Sequence, residues 1–146
     1  MMVFHYWRAL KQERIFKETE EVVENLKKNG ILVGLATNGT YFEVKIKIPS
    51  IVPLFKILIT SSDVTKKKPN PEMILKGIEK AKVKPEETIY IGDTIVDFLA
   101  STNAKTDFAL MTTGTFGPNV VAIGKKKPKN VFHNLKELEN YILANK

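Results

Sequence analysis

Residues 31 to 36, ILVGLA, run apolar without alternation and stop at Thr37, Asn38 and Gly39. A run of strand length with no polar residue on alternate positions predicts a strand buried on both faces, and strands covered on both faces belong to parallel sheets. The segment before it, TEEVVENLKKN at 19–29, predicts a helix. Thr19 can cap it, Glu20 and Glu21 stand in its first turn, and Lys27 and Lys28 stand in its last, all matched to the helix dipole. Val22, Val23 and Leu26 make its apolar stripe, and Gly30 suits the position after its end. The pairing then recurs. Strands are expected at Phe55 to Thr60, Thr88 to Ile91 and Asp107 to Met111, with a short one at Val131 and Phe132. Helices are expected at Pro71 to Lys80, Ile95 to Asn103 and Leu135 to Ala144, and a loop at Gly114 to Pro128. This alternation implies an α/β chain, with helices covering both faces of a mainly parallel sheet in three layers.

Composition limits what such a chain does. With 146 residues, 43% of them hydrophobic, it suits one domain with a sizeable core. It has no cysteine, hence no disulfide framework and no thiolate zinc site, which fits a cytoplasmic location. No apolar run approaches the ~20 residues that span a bilayer. The opening MMVFHYWRAL has neither the basic start nor the small-residue cleavage site of a signal peptide. The formal charge of +7 comes mostly from lysine, with runs at Lys66 to Lys68 and Lys125 to Lys127 and Lys129 close behind. Such runs are usually solvated surface. A basic nucleic-acid-binding module is the rival reading, but aromatic residues are not interleaved with the lysines as single-strand binders require. His5 and His133 stand apart from every motif and read as surface or packing residues.

In open α/β sheets ligands collect at the carboxyl ends of the strands. That rule selects Thr37-Asn38-Gly39 after the first run, Lys68 in KKKPNPE after the second, and Asp93 and Asp97 in IYIGDTIVD after the third. Thr37 offers a hydroxyl, while Asn38 and Gly39 offer backbone N–H groups, all able to meet phosphate oxygens. Lys68 can neutralise an anion. Asp93 and Asp97 are hard oxygen ligands of the kind Mg²⁺ takes. Each part has a plain alternative: a turn, a surface lysine, a helix cap followed by an exposed acid. Order, spacing and strand context together favour one site.

These motifs resemble those of the haloacid dehalogenase-like (HAD) phosphohydrolases over roughly residues 19 to 144. In that resemblance ILVGLATNGT is the second motif, with Thr37 binding phosphate. KKKPNPE is the third, with Lys68 steadying nucleophile and phosphate, and IYIGDTIVDFLA is the fourth, with Asp93 and Asp97 beside magnesium. The fold it implies is the family's Rossmann-like core. The family's first motif, Asp-x-Asp-Gly-Thr, supplies the aspartate that attacks phosphorus and the acid that serves the leaving group. This chain has only Asp63, Asp93, Asp97 and Asp107, and none precedes Thr37. The cap domain that commonly follows the first motif is missing from it as well. The resemblance therefore implies a truncated core, with the central first strand missing or replaced by the N-terminus.

Residues 1–18 are expected to be a remnant of the cap, a helix carrying Phe4, Trp7 and Leu10 at helical spacing, and residues 19–146 the core. A strand at Met2 to Trp7 is the competing reading, and it sets Tyr6 and Arg8 near the places of the two lost aspartates. Without its nucleophile the chain is expected to be inactive alone, holding a small phosphorylated molecule or inorganic phosphate and binding Mg²⁺ weakly. Activity would return if the Asp-x-Asp segment came from upstream sequence or from a complementing chain. An unfilled sheet edge would favour a homodimer.

Overall fold

The computed structural model describes residues 2–5, 13–112 and 128–146, with side chains from Glu18 onward. Among the described residues six strands form one sheet: β1 Met2–His5, β2 Leu32–Ala36, β3 Ile57–Ile59, β4 Thr88–Gly92, β5 Asp107–Met111 and β6 Asn130–Phe132. Their spatial order is β3-β2-β1-β4-β5-β6, and every neighbouring pair is parallel. Five α-helices accompany them among the described residues: α1 Glu13–Lys28, α2 Tyr41–Lys47, α3 Glu72–Ala81, α4 Ile95–Ala104 and α5 Leu135–Ala144.

The helices divide between the two faces of the sheet as the apolar residues dictate. One core cluster joins Val23 and Leu26 of α1, Val44 of α2 and Leu138 and Ile142 of α5 to Val33, Leu35, Ile89 and Ile91 of the sheet. The other joins Met73, Ile74 and Ile78 of α3 and Phe98 and Ala100 of α4 to Ile57, Ile59, Tyr90 and Phe108. Burying one such Leu or Ile contributes roughly 1.5–3 kcal/mol, so both faces need their helices. Alternate residues of β4 supply the two clusters, and all five of its residues are buried, as its unbroken apolar run requires. Among the described residues no helix is long and apolar enough to cross a membrane.

Three expectations need correction. Met2–His5 is a strand, paired with Leu32–Leu35 on one side and Thr88–Ile91 on the other, so this part of the expected N-terminal helix does not form. Phe4 lies in that strand, within the core sheet; Trp7 and Leu10 lie outside the described residues, as do Tyr6 and Arg8. The physical reason is that β2 and β4 each present an inner edge of backbone N–H and C=O groups, and a strand between them satisfies both. That tertiary demand outweighs a three-residue periodicity. The central strand is therefore replaced by the N-terminus, not missing. Second, α1 begins at Glu13, and Thr19 is not its cap: it lies inside the helix with 2% exposure. Thr19, Val22 and Leu26 recur at intervals of three and four along the inward stripe. Third, α2 was not foreseen. Thr40 and Glu43 form a reciprocal capping box at its start. Gly30 does take the left-handed conformation, with φ 78°, two residues past the end of α1. The expected loop at Gly114 to Pro128 lies outside the described residues up to position 127.

Candidate functional site

Lys68 reaches the sheet edge through a loop that its own neighbours fix. β3 ends at Ile59, and Thr60 and Asp63 close a capped turn, with the Thr60 N–H donating to Asp63 Oδ2 at 2.8 Å. Farther on, Glu72 at the start of α3 accepts from the backbone N–H groups of Thr65 (2.9 Å) and Lys66 (2.8 Å). Those two hydrogen bonds, and Lys76 one turn along, hold the Glu72 carboxyl below its usual range. The Lys68–Pro69 peptide is cis. Across the groove, the Asn38 side chain clamps the Lys68 backbone: its Oδ1 accepts the Lys68 N–H at 3.0 Å and its Nδ2 donates to the Lys68 carbonyl at 3.3 Å.

The Lys68 side chain turns inward. Residue 68 is 5% exposed, and its Nζ donates to Asp97 Oδ1 at 2.8 Å and to the Tyr90 hydroxyl at 2.7 Å. It also stands 3.5 Å from the carbonyl of Ala36, the residue before Thr37. The end of β2, the middle of β4 and the first turn of α4 thus meet at one ammonium. Desolvating such a cation is tolerable only with a close counter-charge and further hydrogen bonds, and both are present.

Asp97 is the anchor of this arrangement. Its second oxygen, Oδ2, accepts from the Thr94 hydroxyl at 2.8 Å and from the Asp93 N–H at 3.3 Å. Thr94 in turn caps α4, accepting from the Asp97 N–H at 3.2 Å. Gly92 makes room: a Cβ there would stand 2.4 Å from the Asp97 Cβ, a distance no side chain tolerates. Asp93 is 7% exposed and lies directly beyond β4.

At the end of β2 the Thr37 N–H extends the ladder to the Ile59 carbonyl at 3.0 Å. The Thr37 Oγ1 accepts from the Gly39 N–H at 3.1 Å, and a hydroxyl that accepts there still carries a proton to donate. Of the N–H groups expected to meet phosphate, that of Gly39 is thus aimed at Thr37. The structure gathers Thr37, Asn38, Gly39, Lys68, Asp93 and Asp97 at one rim of the sheet, through hydrogen bonds that join residues distant in sequence. The run Lys66 to Lys68 is accordingly not a uniform basic patch, because its third member is buried. Lys125 to Lys127 lie outside the described residues. His133, directly after β6, makes a 2.8 Å hydrogen bond with Thr112, directly after β5.

Sequence reasoning missed Tyr90, Thr94 and Glu72. Tyr90 carried a signal, being the single aromatic residue of an otherwise aliphatic strand three residues before Asp93. Glu72 carried only its four-residue spacing from Lys76, since its other partners are the backbone N–H groups of Thr65 and Lys66.

The donor set bears on a metal. Both Asp97 oxygens already accept hydrogen bonds, four in all, so Asp97 positions its neighbours. Among the described residues no group of three His, Cys, Asp or Glu side chains converges as a metal cage. Mg²⁺ needs no such cage, because it takes one or two carboxylates together with phosphate oxygens and water.

The sequence profile of the haloacid dehalogenase-like hydrolases matches residues 2–111. The pyrophosphatase PpaX of Bacillus mycoides is 33% identical over 93 residues, which are 62% of this chain and 43% of that protein. Its counterpart in Bacillus thuringiensis is 31% identical over 99 residues, 66% of this chain and 46% of that one. The chain therefore spans less than half the length of these curated relatives. Among solved structures, a HAD-superfamily hydrolase of subfamily IA from Geobacter sulfurreducens superposes with a TM-score of 0.69 at 25% identity, covering 89% of this chain and 60% of that one. The β-phosphoglucomutase of Clostridium difficile shares the fold at 21% identity and a TM-score of 0.69, covering 86% of this chain and 53% of that one.

Proposed function

The chain belongs to the haloacid dehalogenase-like hydrolase family, and from that premise we propose that it is a phosphate-binding core domain that does not turn its ligand over by itself. The observation that carries this reading is the buried Lys68 ammonium, held beside the Thr37 segment by Asp97 and Tyr90. A fixed cation next to a hydroxyl donor is a receptor for a phosphoryl group. The ligand class is a small phosphorylated molecule or inorganic phosphate. Pyrophosphate, named for the Bacillus relatives, is a natural member of the test panel.

The absence of turnover follows from the central strand. β1 ends at His5, and the seven residues that follow before Glu13, YWRALKQ, contain neither Asp nor Glu. A carboxylate nucleophile placed there by the family's design has no counterpart in this sequence, and without it the covalent route has no first step. Because β1 is paired on both edges, a strand donated by a complementing chain would have to displace it. HAD phosphatases generally use Mg²⁺. Here Asp93, with phosphate oxygens and water, would hold it, and a single well-placed carboxylate beside a lysine supports only weak binding. When bound, the ion would neutralise ligand charge.

The test is an assay of the purified chain with Mg²⁺ against phosphomonoesters and pyrophosphate, alongside ³¹P NMR titration with inorganic phosphate. Expected are phosphate binding that Lys68→Met removes, and no hydrolysis above buffer. Turnover that Asp93→Ala abolishes would overturn the inactive reading.

A further inference from the structure

Tyr90 is fully buried in β4, and its ring belongs to the α3–α4 core, stacked 6.5 Å from Phe108. Phenylalanine would pack equally well there. A hydroxyl buried in such a place is costly unless it is hydrogen-bonded, so its presence asks for a role. The hydroxyl stands between the two charges of the site. It accepts from Lys68 Nζ at 2.7 Å and donates to Asp97 Oδ1 at 3.3 Å.

We propose that Tyr90 is a positioning residue whose hydroxyl fixes the Lys68 ammonium at the rim and thereby sets the affinity for phosphate. The phosphate half of this inference rests on the reading above. Lysine is a point charge on a flexible four-carbon stem, and one ion pair leaves it free to swing. Asp97 is immobile, tied to Thr94 and to the Asp93 N–H. Tyr90 is immobile because it is part of the sheet. Contacts to two fixed groups restrict Nζ where either alone would not. Asn38 holds the Lys68 backbone at the other end of the stem, so both ends of the residue are constrained.

The experiment compares the wild-type chain with Tyr90→Phe and with Phe108→Leu, which loosens the same core without touching Lys68. The readouts are thermal midpoint, affinity for inorganic phosphate, and the ¹H–¹⁵N signal of the Lys68 ammonium recorded without phosphate. Tyr90→Phe is expected to weaken phosphate binding about tenfold, as loss of a charge-assisted hydrogen bond does, and to broaden or abolish the ammonium signal. Phe108→Leu is expected to lower the melting temperature and leave the signal and the affinity unchanged. Equal effects of the two variants on signal and affinity would reduce Tyr90 to packing and overturn the inference. If wild-type chain binds no phosphate, the function proposed above fails, while the ammonium signal still decides whether Tyr90 holds Lys68. Should Tyr90→Phe not fold, the wild-type ammonium must show a nuclear Overhauser contact to the Tyr90 ring, and its absence counts against the proposal.

Discussion

The rim and the centre of the sheet are held by different kinds of contact. At the rim, side chains from four segments fix one another: Asn38 after β2, Lys68 before α3, Tyr90 in β4 and Asp97 in α4. At the centre, Met2–His5 is placed by backbone pairing with β2 and β4. Ladder hydrogen bonds use groups that every residue but proline carries, so many tetrapeptides can occupy a slot with two open edges. The rim has no such tolerance, since each of its partners requires a particular functional group. On the function proposed above, a chain keeps the family's sheet while the residues that follow its central strand carry none of the carboxylates on which hydrolysis depends. Architecture and chemistry separate at that seam.

The largest way to break this comparison is Val3→Pro. Val3 pairs with Val33 and Ile89, and proline there removes a ladder donor in the middle of the sheet. A loss of ~3 kcal/mol or more is expected, a large share of the ~5–15 kcal/mol typical of a domain, and circular-dichroism melting checks it. A variant that melts within a few degrees of the parent would show that β1 is not the seam. The next effect belongs to the rim. Lys68→Met leaves Asp97 buried without its cation and is expected to cost about 3–5 kcal/mol in urea unfolding. Adding Asp97→Asn should recover part of that stability while leaving phosphate affinity lost, which separates the network's structural part from its binding part. The smallest effect is in pH dependence. The folded Glu72 carboxyl lies below its usual 4.5, so its stabilisation is fully present above that value and is lost as pH falls through the lowered one. Urea midpoints of wild type and Glu72→Gln should differ at neutral pH and converge in acid. A gap that widens on acidification would contradict the assigned cause.

Much of this was legible beforehand, for definite reasons. The strands at 32–36, 57–59 and 88–92 were readable because buried parallel strands are unbroken apolar runs. The six residues of the rim were readable because ligands gather where such runs end. β1 was legible only as the competing reading, a strand at Met2 to Trp7, because a four-residue strand is too short to show a period and its placement depends on two edges formed far away in sequence. α2 was missed although its capping box, Thr40 with Glu43, is visible in the sequence. The hydrogen bonds that engage both Asp97 oxygens were illegible, since spacing alone assigns Asp93 and Asp97 to one site.

The position of β1 also has a kinetic consequence. Met2 lies opposite Leu32 on one side and Thr88 on the other, so the seam closes only when distant parts of the chain have met. Topologies rich in such long-range pairings form slowly. Until closure, β2 and β4 would each expose a flat apolar edge to neighbouring molecules. Yield on refolding should therefore fall with rising protein concentration, and a detached peptide of the β1 sequence should compete for the same groove.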